Sequence, residues 1–403
     1  MDFNDSLEET AFRSQVRQWL ASHAPAFELP PNQPLNDDVM VSLARGWQAC
    51  KAHAGYVGLA WSKAVGGQGA SPVHSLIFRQ EESHYKVPTI LYAVGMGMCL
   101  PTVFTYLSAQ VAQPLVQRAI KGEDVWCQLF SEPVAGSDLA GIRTRAERDN
   151  EDWIVTGQKV WTSYAHRSDY GLLLTRTDSH VPKHKGLTMF YVDMRSAGIT
   201  VRPIRTLAGN EDFNEVFLTD VRVPDAQRLG DVGGGWNVAL TTLTHERLAI
   251  GKPAEAPGVA ELIALAASVP SSTGGWQIDN PAVRRAITQC YINDAGVEFI
   301  GMRAQTALCD GQQPGPEASV GKLIMAKTRQ DVGAFALDLL GNGAVFENSN
   351  PAMRSFFDYY LMAAGLRIAG GTDEILRSVI AERVLGLPGD IRVDKTVPFN
   401  SVQ

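Results

Sequence analysis

Apolar residues recur at helical spacing through the first third of the chain. In "DSLEETAFRSQVRQWLASHAP" (5–25), Phe12, Val16, Trp19 and Leu20 form one stripe, which ends before Pro25. "PVHSLIFRQEESHYKVP" (72–88) and "PTVFTYLSAQVAQPLVQRAIKG" (101–122) carry the same period, punctuated by Pro and Gly. Between them "YAVGMGMCL" (92–100) is apolar, glycine-spaced and Met-rich. It reads either as an ordinary core helix or as a soft wall for an apolar ligand. Near residue 125 the period shifts toward two. "GIRTRAER" and "WIVTGQKVWTS" flank the turn-rich "DNED" (149–152), as in a hairpin, and "YGLLLTRTD", "GLTMFYVDM", "GITVRPIRT" and "NEVFLTDVRVP" follow as further strands. Their spacing predicts a compact antiparallel barrel or sandwich rather than a parallel α/β sheet. From Gly233 onward helical spacing returns, interrupted by the loop-like "SVPSSTGGWQIDNP" (268–281). The expected organisation is an α-helical part (1–124), a β part (125–232) and a helical bundle (233–403).

One helix in the last part poses a chemical question. In "LTTLTHERLAIG" (240–251), Leu240, Leu243, Arg247 and Ile250 fall on one side, and Glu246 lies on the border of that stripe. The positions three and four residues away are Thr242, Leu243, Ala249 and Ile250, so the helix supplies no cation where a surface Glu would find one. Such a carboxylate is either half of a buried ion pair, with Arg247 or a residue from another helix, or a base kept from water.

Composition narrows the field. A length of 403 residues, 45% hydrophobic and 20% charged, suits a globular protein of two or three domains. A net charge of −7 argues against nucleic acid or an anionic membrane as partner. No run approaches the roughly 18 apolar residues of a membrane helix. The acidic N-terminus differs from a secretory signal, and five dispersed cysteines suggest reduced thiols in the cytoplasm. Neither the cysteines nor the eight histidines show metal-ligand spacing, so no metal is expected.

Three stretches could hold a ligand. "FSEPVAGSDLAG" (130–141) is a poor helix and a good loop, in which Gly136 and Ser137 allow close approach to the backbone. "KVWTS" (159–163) sets Trp161 beside Thr162 and Ser163, either as core filler or as a ring against a planar cofactor. In "IAGGTDEILRSVIAERVLGLPG" (368–389), Gly370 and Gly371 precede a helix whose buried face is expected at Ile375, Leu376, Val379 and Ile380. The pair either forms a turn or offers N–H groups to a substrate oxygen, and Asp373 and Glu374 suit the positive end of the helix dipole. There is no G-x-G-x-x-G after a strand and no P-loop, which disfavours a Rossmann-type nucleotide site.

Taken in order, "GYVGLAWSKAVGGQGASP", "SEPVAGSD", "GQKVWTS", "FNEVFLTDVRVP", "GGGWNVA" and "GGTDEILRSVIAERVLG" resemble the acyl-CoA dehydrogenase family of flavoproteins over nearly the whole chain. The resemblance implies a mainly α fold with a β-barrel-like middle domain and a C-terminal four-helix bundle, with FAD bound between domains and across a subunit interface. It implies α,β-dehydrogenation of an acyl-CoA thioester, in which a carboxylate removes the α-proton and the flavin N5 accepts hydride. Many members carry that carboxylate just before the Gly-Thr of the C-terminal motif, where this chain has Gly370. A subgroup including isovaleryl-CoA and steroid side-chain dehydrogenases carries it on the helix after the β-domain, in a Glu-Arg pair matched here by Glu246-Arg247. By the same resemblance Leu129, Phe130, Ser131, Gly136, Ser137, Trp161, Thr162, Ser163, Thr372, Asp373 and Glu374 contact FAD. Ser137, Thr244, Arg247, Gly370 and Gly371 contact the acyl-CoA, and Glu132 and Glu374 are not the base. An electron-transfer flavoprotein is the implied electron acceptor.

The pattern breaks after the helix bearing Glu246. Most relatives have an Arg-x-x-Phe-Gly motif there, which reaches the FAD of a neighbouring subunit; this chain reads "KPAEAPGVAELIALAASVPSSTGGW" (252–276). Asp338 likewise stands where many relatives place an amide near FAD. The expected assembly is therefore a homo- or hetero-tetramer, with an α2β2 form in which a second dehydrogenase-like subunit completes the FAD site. A branched or ring-bearing acyl group is the expected substrate class. Other readings are an oxygen-using acyl-CoA oxidase or flavin monooxygenase of the same fold, or a non-catalytic subunit.

Overall fold

The computed structural model describes residues 5–30, 37–249, 257–272, 274–309, 312, 315–316, 318–341 and 351–401. The chain packs as two compact units, one holding residues 1–206, 210–249 and 390–403, the other residues 207–209 and 250–389.

The first unit opens with helices α1 (Leu7–His23), α2 (Asp37–His53), α3 (Pro72–Glu82) and α4 (Ile90–Val94). Helix α1 starts where Ser6 accepts from the Glu9 N–H and Glu9 accepts from the Ser6 N–H, a capping box. Its predicted stripe is the packed one: Val16 and Leu20 are fully buried, and Phe12 and Trp19 pack with them around Trp47, Tyr56 and Phe78. After α4 the chain widens into a π-helical turn (Gly95–Cys99), then continues as α5 (Leu100–Tyr106). The stretch 101–122 is two helices, because Leu107 takes an extended conformation and Ser108 opens α6 (Ala109–Ile120).

Eight strands form one sheet: β1 (Trp126–Leu129), β2 (Arg145–Asp149), β3 (Asp152–Ser163), β4 (Tyr170–Arg176), β5 (Leu187–Asp193), β6 (Ile199–Ile204), β7 (Phe213–Pro224) and β8 (Arg228–Leu229). Their order is β6-β7-β3-β2-β4-β5-β8, with β1 added parallel to β4. The predicted β2–β3 hairpin is present, and Asn150 takes the left-handed conformation its turn requires. Strand β1 and the two-residue β8 have too little alternation to be read from sequence. The β2–β4 and β1–β4 pairings are parallel, which the expectation of a wholly antiparallel sheet missed.

Helix α7 (Gly235–Ala249) leaves the sheet at Gly235, where any Cβ would lie 2.6 Å from the Thr188 backbone. One apolar cluster joins α5 and α6 to the sheet and to Val238 and Ala239 of α7.

The second unit contains α8 (Val259–Ser268), α9 (Pro281–Cys309), α10 (Ala318–Leu340), α11 (Pro351–Leu366) and α12 (Asp373–Val379). Leu262, Leu265, Ile287, Val332, Ala336 and Phe356 make its core. On α12 only Leu376 of the four predicted face residues is fully buried; Ile375 is exposed, and Val379 and Ile380 are half-buried. The short helix turns into a second π-helical turn (Ile380–Val384), so one straight helical face does not persist. No described helix is long and apolar enough to cross a membrane.

Candidate active site

Helix α7 buries Gly235, Val238, Ala239 and Thr242, whereas Leu240 is 37% exposed. The packed stripe is therefore offset from the predicted one through Leu240 and Leu243. The offset moves Glu246 inward, because it stands four residues after Thr242 on the buried line. Glu246 itself is half-buried.

Facing this line is the glycine-spaced stretch that reads as core helix or ligand wall. It is neither a regular helix nor a loop but the π turn Gly95–Cys99. At Gly95 a Cβ would come within 3.1 Å of Trp126 Cβ, so the turn lies directly on β1. The Cys99 thiol donates to the Cys127 carbonyl at 3.4 Å. Burial raises its pKa well above the ordinary thiol range, and Cys127 and the charge of Glu246 raise it further. The charge of Glu246 is thus felt at Cys99, the last residue of the π turn. Next to it the Thr102 and Thr242 hydroxyls meet at 2.9 Å, and those of Tyr106 and Thr241 at 3.0 Å, which fixes α5 against α7. Inserted π turns widen a helix locally and recur at functional sites. The signal in the sequence was the pair Gly95 and Gly97 inside a helical run; the nearness of Glu246 to Cys99 was not readable there.

Thr244 donates its hydroxyl to the Leu240 carbonyl at 2.9 Å, leaving its lone pairs for another donor. The Arg247 side chain lies outside the described residues. His245 is half-buried, and burial holds its pKa below the usual imidazole range.

The loop after β1 is held from beneath. Leu129 and Phe130 are buried, and the Ser131 carbonyl accepts the Val160 N–H at 2.9 Å. Glu132 accepts the Arg143 and Thr144 N–H groups at 2.6 and 2.9 Å and pairs with Lys159 at 2.9 Å. Lys159 is fully buried and also donates to the Phe130 carbonyl at 3.0 Å. This buried ion pair, which sequence reading did not pick out, makes Glu132 a fixture of the loop. Gly136 and Ser137 are exposed above it, with no heavy atom within 4 Å of where a Gly136 Cβ would be.

Across from the loop, β3 breaks register with β7 between Lys159 and Thr162. Trp161, in the break, adopts φ 60°, an uncommon conformation for so bulky a residue, and is 59% exposed against the edge of Phe213. Tyr164 is left-handed as well, with φ 54°. Thr162 is buried, and its Oγ1 has no hydrogen-bond partner among the described residues. Ser163 is half-buried at the strand end, paired with Phe213. A buried, unpaired hydroxyl beside a Trp displayed by a strained bulge fits a flat ligand with a polar edge. The residues present therefore suit a flavin.

In the second unit Gly370 and Gly371 have φ 66° and 92°, values that favour glycine. Lys322 donates to the Gly371 carbonyl at 2.6 Å. Thr372 caps α12, accepting the Ile375 N–H at 3.3 Å. Asp373 is buried and ion-paired with Arg367, while its Oδ1 has no partner among the described residues. Glu374 is exposed.

Comparison with known proteins agrees along the chain. The acyl-CoA dehydrogenase N-terminal domain matches residues 6–123, the middle domain 127–221 and the C-terminal domain 233–385. The chain is 39% identical over 347 residues to acyl-CoA dehydrogenase FadE34 of Mycobacterium tuberculosis, which covers 85% of this chain and 46% of that protein. The chain thus spans about half the length of that relative. Among solved structures, the ChsE4-ChsE5 complex from Mycobacterium tuberculosis superposes with TM-score 0.81 at 27% identity, covering 97% of this chain and all of the matched one. The Tcur3481-Tcur3483 steroid ACAD gives TM-score 0.80 at 25% identity, with the same coverage. The chain belongs to the acyl-CoA dehydrogenase family of flavin-dependent oxidoreductases.

Proposed function

We propose that Glu246 is the base that takes the α-proton of an acyl-CoA thioester in this chain's dehydrogenation to the trans-2-enoyl-CoA. One observation carries the reading: Glu246 continues the buried line of α7, close enough to Cys99 of the π turn for its charge to raise that thiol's pKa, while Gly370 stands where many relatives have their carboxylate. A carboxylate partly shielded from water is a stronger base, and the half-buried Met96 and Met98 of the turn suit an acyl chain beside it. Bound there, FAD would supply the acceptor for the β-hydrogen as hydride. Leu129, Phe130, Ser131, Gly136, Trp161, Thr162 and Ser163 would hold it on the first unit, with Trp161 giving an apolar face and Thr162 a hydroxyl that lacks a partner among the described residues. By the family's pattern Thr372, Asp373 and Glu374 would also contact FAD. Ser137 and Thr244 orient the thioester arm, Arg247 steadies base and substrate, and the N–H groups of Gly370 and Gly371 serve the thioester carbonyl.

The same reading divides the chain into an N-terminal helical domain (1–124), a β-domain (125–232) and a C-terminal helical domain (233–403). It places the protein in the cytoplasm, with an electron-transfer flavoprotein as acceptor. It also makes the chain the base-bearing half of an α2β2 assembly. Support comes from the missing Arg-x-x-Phe-Gly, from the two-component relative, and from exposed apolar side chains in the second unit, among them Tyr291, Ile292 and Leu385. The substrate class is a branched or ring-bearing acyl group. Glu246→Gln tests the central assignment: flavin and acyl-CoA binding persist, whereas anaerobic bleaching of the flavin by acyl-CoA disappears. Bleaching at the native rate removes Glu246 from the mechanism.

A further inference from the structure

Residues 390–401 form a strap on the first unit. After the second unit, residues 390–401 return to the first unit and join the turn between β4 and β5. The Phe399 and Asn400 N–H groups donate to the Val181 and Ser179 carbonyls, each at 3.0 Å, and Pro398 bridges to Pro182. Two cations stand where this strap meets the ligand loop. Arg176, 5% exposed, donates to the loop carbonyls of Ala140 and Ile142 at 2.5 and 3.0 Å and to the Lys183 carbonyl at 3.2 Å. Its guanidinium carbon lies 3.6 Å from the centre of the Phe399 ring. Lys183 donates to both Asp138 oxygens at 2.9 Å and to Asp394 at 2.6 Å. Asp138 directly follows Ser137.

Each cation thus has one side on the loop and the other on the strap. A buried guanidinium whose hydrogen bonds among the described residues all go to carbonyls has lost its hydration, and the π face of Phe399 adds negative charge density beside it. Lys183 is shared between two carboxylates, so removing Asp394 changes the charge balance felt by Asp138.

We propose that Phe399 and Asp394 are positioning residues for acyl-CoA binding, which hold Arg176 and Lys183 against the 136–142 segment and so fix the backbone of Gly136 and Ser137. The proposal rests on the assignment of that loop to the acyl-CoA and flavin site. It makes the C-terminal strap, not only the sheet beneath, a determinant of affinity.

The test uses the full chain carrying Phe399→Ala and Asp394→Asn together. Amide hydrogen exchange in residues 136–142 of the ligand-free protein is expected to rise about 10-fold, the loss of one cation–π contact and one partly exposed ion pair. The Kd for coenzyme A, the probe for the thioester arm, is expected to rise by a similar factor. Phe399→Trp with Asp394→Glu, which keeps the ring face and the charge, should restore both. Unchanged loop exchange overturns the proposal; so does exchange that rises uniformly through α1 and the sheet, since that marks general destabilisation. Loop exchange that rises without any change in coenzyme A affinity also overturns it. Glu246→Gln measured in parallel separates the two claims. Persistent bleaching there defeats the assignment of the base, while ligand-free loop exchange still reports on the strap.

Discussion

Lys159→Met probes what fixes the ligand loop. The ammonium is fully buried, 2.9 Å from Glu132 Oε1 and 3.0 Å from the Phe130 carbonyl. Burial pushes its pKa down to about 8, against the pull of Glu132. Replacement by Met keeps the volume but leaves Glu132 charged inside the protein. Breaking a buried pair from one side typically costs about 3–5 kcal/mol. Glu132 keeps two backbone donors, from Arg143 and Thr144, so the low end of about 3 kcal/mol applies here. For a unit of this size that lowers the melting temperature by roughly 6–12 °C. Glu132→Gln in the Lys159→Met background removes the stranded charge and should regain part of the loss. Thermal unfolding of the native chain and the two variants by tryptophan fluorescence makes the comparison. A Lys159→Met variant that melts within 2 °C of the native chain, or a double variant that is the least stable of the set, refutes the reasoning.

Acid sensitivity should follow from the same carboxylate. Burial pushes the Glu132 carboxyl up, but Lys159, Thr144 and the Arg143 N–H outweigh it and hold the group below the ordinary value of 4.5. A carboxyl depressed in the folded state contributes stability that is complete above about pH 4.5 and is lost as pH falls through the lower, folded value. The unfolding free energy of Glu132→Gln should therefore vary less with pH below 4.5 than that of the native chain, as read in urea titrations. Gly95→Ala places a methyl 3.1 Å from Trp126 Cβ. Shifting the π turn to admit it should cost roughly 1–3 kcal/mol and alter the preference among linear and branched acyl-CoA esters, a result that steady-state rates on a panel of esters would register.

Much of the fold was legible because its signals are local. The α1 stripe, the 149–152 turn and the four longer strands follow from spacing and turn chemistry alone. What escaped depends on tertiary contact. The packed face of α7 runs through Val238 and Thr242 because α5 docks there through Thr102 and Tyr106, and no pattern within the helix announces that partner. Nor did the sequence pattern show that Ile375 would be exposed while its neighbour Leu376 is buried. For the site, quoted motifs located Trp161, Thr162 and Gly136, but neither the left-handed bulge at Trp161 nor the Lys159–Glu132 pair 27 residues apart could be read from them. The strap is a still longer-range case, since Lys183 and Asp394 meet across 211 residues.

Proton removal at the α-carbon tests the central assignment most directly, because it can be followed without turnover. Acyl-CoA recovered after incubation with enzyme in D2O is weighed for deuterium at that carbon. The native chain is expected to wash deuterium in, and Glu246→Gln, still binding the ester, to leave it unlabelled. Equal labelling by both proteins contradicts the account.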